Sequence, residues 1–189
     1  MTVLPVSGRV AVTARQDQSG RTALITGANA GTGLACAKAL AVNGATVLLA
    51  CRSAERGAAA LAEVRSVATA DVRMVRLDLA DQASVRQAAG IVREVSNDRV
   101  DVFLANAGVA VWNDQLHSAD GYETVLATNY LGHAALTALL WPSFIAAPAA
   151  RLVFSSSLSH HLVTSVAPVR VNPRIRQTGM LRTYARTKV

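Results

Sequence analysis

The sequence predicts an α/β domain built on a doubly wound parallel sheet, with helices on both faces in three layers, and three observations carry that prediction. Short β-rich runs alternate with Ala-rich stretches of helical period. The runs are apolar throughout, as strands buried on both sides must be. Finally, 51% hydrophobic letters in 189 residues are enough for one packed core and exclude a disordered chain.

Each element follows in order. Residues 1–19 read as a loose polar arm, in which Arg9, Arg15 and Asp17 break any apolar run that a secretory signal would need. The domain itself is expected over 20–189. Residues 22–26 form a first strand that runs into a glycine-rich turn. Leu34, Ala37, Leu40 and Ala41 then stand at helical spacing over 33–42, and Asn43-Gly44 supplies the stop. Residues 45–50 are a second strand, 54–65 a helix and 72–77 a third strand. Asp81 suits the N-cap of a helix carrying Val85, Ala88, Val92 and Val95 on one face. Residues 100–105 give a fourth strand, a long helix falls within 120–140, and 152–155 give a fifth strand. Residues 134–150 carry no charge, but Pro142, Ser143 and Pro148 interrupt them, and they are short for a membrane span. They read as a buried helix followed by a loop. Residues 162–183 read as a loop of the length that is usually functional or mobile.

The formal charge of +7 is unevenly placed. Residues 1–123 hold 12 basic and 12 acidic side chains, so the excess lies wholly in 124–189, which contain no acid. That end lacks aromatic interleaving and any helix-turn-helix or zinc pattern, which argues against nucleic acid as a partner. Cys36 and Cys51 have no metal-ligand spacing and no partner pair, so no metal site is expected and a reducing cytoplasm fits.

The turn Thr26-Gly27-Ala28-Asn29-Ala30-Gly31-Thr32-Gly33 joins a strand to a helix. Glycine there permits a tight turn, a close approach of pyrophosphate to bare backbone, and tight helix-on-strand packing. A dinucleotide is the cofactor class implied. At the end of the second strand stands Ala50-Cys51-Arg52, without the carboxylate that would accept from the ribose hydroxyls of NAD. A guanidinium can instead bind a 2′-phosphate through two hydrogen bonds, so Arg52 favours NADP over NAD. Its alternative is a solvated arginine at a helix start.

TGANAGTG resembles the cofactor turn, TGxxxGxG, of the short-chain dehydrogenase/reductases. Further motifs extend the resemblance over about residues 20–189: Asp78-Leu79, Asn106-Ala107-Gly108, Asn129-Tyr130-Leu131-Gly132-His133, Ser155-Ser156-Ser157 and Tyr184-Ala185-Arg186-Thr187-Lys188. The NxxGH segment is similar to the retinol-dehydrogenase-like branch. The resemblance implies a Rossmann-type fold and hydride transfer between NADP(H) and a lipophilic alcohol, aldehyde or ketone. It assigns Gly27, Asn29, Ala30, Gly31, Thr32, Gly33, Arg52, Asp78, Leu79, Asn106, Ala107, Gly108, Tyr184 and Lys188 to the cofactor.

Tyrosine is a poor acid–base at neutral pH, since its ordinary pKa is about 10. A lysine four residues on lies one helical turn away, and its charge favours the phenolate. By resemblance Tyr184 is the general acid–base, Lys188 its activator and Asn129 part of a relay to solvent. Ser157 polarises the substrate oxygen, with Ser156 as the alternative. His160 and His161 read as loop residues.

The family's members run longer, and this sequence ends one residue past Lys188. The resemblance therefore implies a domain without its C-terminal strands and helices, little turnover from this polypeptide, and doubt over the usual homodimer. The rival expectation is a non-catalytic remnant that still binds a dinucleotide.

Overall fold

The computed structural model describes residues 16–110, 117–163 and 184–188. Most of the expected arm, and the basic loop from residue 164 to 183, lie outside the described residues. Gln18 N donates to Asn43 O at 2.7 Å, so the chain is attached to the domain before the first strand begins.

Five strands form one parallel sheet in the order β3-β2-β1-β4-β5. They are β1 (Thr22–Thr26), β2 (Thr46–Cys51), β3 (Val72–Arg76), β4 (Val102–Ala105) and β5 (Arg151–Phe154). The helices α1 (Gly31–Val42), α2 (Ala54–Arg65) and α3 (Gln82–Val95) connect the first four strands. The apolar strands divide by alternation, as two buried faces require. Ile25, Val47, Leu49 and Cys51 pack with Ala37, Ala41, Ala60 and Val64 on the α1/α2 side. Leu24, Leu48, Ala50 and Phe103 pack with Val85, Ala88, Val92 and Leu136 on the other. This is a doubly wound, Rossmann-like α/β fold.

Capping side chains set two helix starts, at Asp81 as the sequence suggests and at Ser53. The Asp81 carboxylate accepts from Ala83 N and Ser84 N, and Ser53 Oγ accepts from Arg56 N at the start of α2. At the N-terminal edge of the sheet, buried Asp101 accepts from Thr22 N at 2.9 Å and pairs with Arg99 at 2.7 Å. Its main-chain oxygen accepts from Arg151 N. One side chain and its backbone thus fix the starts of β1, β4 and β5.

The helix expected within 120–140 is made in pieces. The short α4 (Thr124–Leu126) opens into one wide turn over Ala127–Leu131, where Gly132 N bonds back to Ala127 O, five residues earlier. Then α5 (Gly132–Leu139) and α6 (Trp141–Ile145) follow, separated at Leu140. Pro142 explains that break, because it has no N–H to give to the carbonyl one turn back and its ring crowds that carbonyl. Strand β5 ends at Phe154, one residue earlier than expected, and Ser157 opens a 3₁₀ turn over Leu158–Leu162. No described helix is long and apolar enough to cross a membrane.

Candidate active site

Strand order reverses between β1 and β4, and the crevice beyond their carboxyl ends is where such sheets take ligands. There the glycine-rich turn meets Asn106-Ala107-Gly108. Gly27 has φ +65°, and a Cβ on it would stand 2.9 Å from Ala107 Cα. A Cβ on Gly33 would lie 2.5 Å from Gly27 O and 2.6 Å from Asn106 Nδ2. Both positions therefore need glycine. The Asn106 amide donates to Thr26 O at 3.1 Å, which ties the two loops together.

Beneath them runs a buried polar network. Thr26 Oγ1 accepts from Asn106 N and Ala107 N, each at 3.0 Å. It lies 2.9 Å from His133 Nε2 and 3.4 Å from Leu104 O. His133 Nδ1 faces the Asn129 main-chain oxygen at 3.2 Å. A carbonyl only accepts, so Nδ1 carries the proton and Nε2 accepts from the threonine hydroxyl. Burial, reinforced by the nearby Lys188 charge, lowers the His133 pKa to about 4, against the pull of the Asn129 bond. The imidazole is neutral at physiological pH.

The cleft above this network has a volume of about 360 Å³. Gly27, Asn29, Ala30, Arg52, Arg56 and Asp78 are among the residues that line it. Ala30, the N-cap of α1, offers no side-chain cap, which leaves the first N–H groups of α1 available to an anion. Gly31 has φ +55° and open space where a Cβ would project. None of the four described ion pairs uses Arg52, which is exposed. Leu79 is buried, and Asp78 Oδ1 accepts from Ala80 N at 3.0 Å. This glycine cradle, with its uncapped helix and unpaired guanidinium, fits a dinucleotide phosphate chain. Gly31 and Thr32 are exposed at the rim of that turn.

Asn129, Ser155, Ser156 and Lys188 come together in a second cavity of about 680 Å³, whose lining also includes Tyr130 and Phe154. Asn129 sits on the wide turn. Its Oδ1 accepts from Val109 N at 2.8 Å, and its Nδ2 donates to Val109 O at 3.0 Å and to Thr187 Oγ1 at 3.1 Å. It thereby joins the segment after Gly108 to the helical turn at 184–186. Lys188 is buried, its Nζ donates to Ser155 O at 3.0 Å, and burial lowers its pKa. That Nζ also lies 5.8 Å from the centroid of the Tyr184 ring.

The three serines part company here. Ser156 Oγ donates to Lys188 O at 2.5 Å. Ser157 caps the 3₁₀ turn, and its Oγ accepts from Ser159 N at 3.2 Å and Ser159 Oγ at 3.0 Å. His133 and Thr26 complete the site from below, although the sequence assigned neither of them a role. Their contact joins a strand end to a helix 107 residues later, which spacing in the sequence does not display.

A doubly wound parallel sheet with a glycine cradle at its reversal point places the chain among the Rossmann-like α/β folds. The family model for short chain dehydrogenase matches residues 21–169, and the chain belongs to that family. It is 39% identical to human retinol dehydrogenase 12 over 145 residues, covering 76% of this chain and 45% of that protein. It is 37% identical to human dehydrogenase/reductase SDR family member 13 over 171 residues, covering 90% of this chain and 44% of the relative. The chain thus spans about half the length of these curated relatives. An uncharacterized protein from Mycobacterium paratuberculosis has a similar crystal structure, with TM-score 0.75 and 36% identity, covering 90% of this chain and 58% of that one. The Pseudomonas aeruginosa RhlG/NADP active-site complex aligns with TM-score 0.71 and 25% identity, covering 91% and 62%.

Proposed function

We propose that this chain carries the cofactor half and the catalytic residues of an NADP(H)-dependent oxidoreductase, which interconverts a lipophilic alcohol and its aldehyde or ketone. The observation that carries the reading is the meeting of Asn129, Lys188, Ser155 and Ser156 in one cavity beside the dinucleotide cleft, with Ser157 next in the chain at the start of the 3₁₀ turn. The nicotinamide, when bound, supplies or takes the hydride.

Arg52 supports NADP over NAD, since it stands unpaired where a carboxylate would repel a 2′-phosphate. Tyr184 is the proton donor and acceptor at the substrate oxygen. Lys188 lies near its ring, and the positive charge favours the phenolate. Asn129 holds the 109 segment and Thr187, which keeps the lysine turn against the cleft. Ser157 supports the role of polarising the substrate oxygen, because both hydrogen bonds at its hydroxyl are accepted ones. The Ser156 proton is committed to Lys188 O instead. The apolar lining from Phe154, Ala134 and Ala138 suits a lipophilic substrate, in keeping with the retinol named for its relatives. Two free cysteines, one of them buried, suit a reducing cytoplasm.

Little turnover is expected of the 189-residue polypeptide alone. Strand β5 has one sheet neighbour among the described residues, and Val153 and Phe154 are about half exposed beside the site. The test is direct titration with NADPH and NADH, followed by a carbonyl screen. Tighter NADPH binding that is lost in Arg52→Ala supports the reading, and equal affinity for the two cofactors overturns the NADP assignment. Binding without turnover, retained on extension of the chain with a relative's C-terminal segment, would favour the non-catalytic alternative.

A further inference from the structure

Thr128 is buried, at 8% exposure, and its hydroxyl has no hydrogen-bond partner among the described residues. Threonines in helices usually give the hydroxyl proton to a carbonyl one turn back. Thr137 does so, donating to His133 O at 2.7 Å, and Thr187 donates to Tyr184 O at 2.8 Å. Thr128 makes no such bond and lies on the wide turn, one residue before Asn129. Ser143 has the other orphaned hydroxyl, but it lies at the opposite edge of the sheet, where its carbonyl accepts from Val100 N.

What separates the two is where they face. Thr128 lines the dinucleotide cleft together with Asp78, Leu79 and Val109. The start of α5 is pressed onto that same wall, since a Cβ on Gly132 would stand 2.2 Å from Leu79 O. Thr128 therefore belongs to the Asp78-Leu79 side of the cleft, which Arg52, assigned above to the 2′-phosphate of the adenosine half, also lines. A buried hydroxyl that can both donate and accept, left unmatched in a ligand cleft, is matched by the ligand.

We propose that Thr128 is a cofactor-binding residue, whose hydroxyl hydrogen-bonds the adenosine half of the bound dinucleotide. The proposal rests on the dinucleotide reading given above. It adds a polar contact on the helix side of the cleft, where the motifs supply none.

The test compares the full chain with Thr128→Val, Thr128→Ala and Thr128→Ser, by calorimetric titration with ADP and with NADPH. ADP shares the adenosine half and lacks the nicotinamide. Loss of the hydroxyl in Thr128→Val should weaken both ligands about tenfold, while Thr128→Ser stays within about twofold of the parent. The ligand-free melting temperature of Thr128→Val should equal or exceed that of the parent, because an unmatched polar group has been removed. A purely structural hydroxyl would lower it. Should the valine variant fail to fold, Thr128→Ala removes the same hydroxyl without a branched replacement and is read in the same way. Unchanged ADP and NADPH affinity in the hydroxyl-free variants overturns the proposal but leaves the dinucleotide reading intact. Weakened NADPH with unchanged ADP overturns the adenosine assignment. Failure of the parent chain to bind either ligand overturns both readings.

Discussion

His133 shows how much one side chain can determine. It is neutral because its Nδ1 proton goes to Asn129 O while Nε2 takes the Thr26 proton, and protonation would add a buried charge near Lys188. Its pKa falls from 6.5 to about 4 on folding. Between those values the unfolded chain binds the extra proton, so stability falls as pH drops from 6.5 toward 4 and is level above. The contribution is on the order of 3 kcal/mol. Urea denaturation of the parent and of His133→Asn across pH 4–7 should show a shallower pH slope in the variant. Equal slopes would sink the assignment. Among the serines, Ser157→Ala should abolish carbonyl reduction in a chain competent for turnover, whereas Ser156→Ala should retain measurable rate. The reverse order would transfer the role to Ser156.

At the scale of elements, two junctions set the site. Gly33→Ala would drive a Cβ into Gly27 O and the Asn106 amide, which displaces the glycine turn from the strand-loop behind it. Nucleotide affinity should fall at least about tenfold, while the far-UV circular dichroism spectrum stays near that of the parent; retained affinity would contradict the packing argument. At the other end of the sheet, Asp101→Ala removes the acceptor for Thr22 N and leaves Arg99 unpaired. Its cost is roughly 3 kcal/mol, measured by urea denaturation, and a loss below about 1 kcal/mol would show the anchor to be incidental. These junctions also mark where reading the sequence succeeds. Residues 22–26, 54–65 and the Asp81 cap are legible because period and capping are local properties, and the motifs placed Asn129 and Lys188 in one cavity. The wide turn at 127–131 is not legible, since apolar spacing is the same for an ordinary helix. The orphaned Thr128 hydroxyl is hidden because it has no partner among the described residues, and the His133 tautomer is hidden in part, because Asn129 is four residues away but Thr26 comes from a distant strand.

Across the whole molecule, the two cores on either side of the sheet make the crevice between β1 and β4 rigid from below, while its upper wall is made of loops. A ligand that bridges those loops stabilises only the folded state. NADPH at about a hundred times its dissociation constant should add about 2.7 kcal/mol, seen as a raised melting temperature, and NADH at the same concentration should add less. An equal shift with both cofactors would remove Arg52 from the specificity argument. Arg52 and Arg56, the arginines among the described residues that line this crevice, come from the charge-balanced part of the chain.

The Thr26 hydroxyl couples two substitutions as well as two segments of the chain. It receives two backbone protons from one loop and gives its own to a helix more than a hundred residues later. Substitutions at Thr26 and His133 are therefore expected to be non-additive, each masking part of the other's cost. A graft carrying the glycine turn into another sheet would have to bring the histidine with it. Replacing both together is expected to cost less than the sum of the two single substitutions.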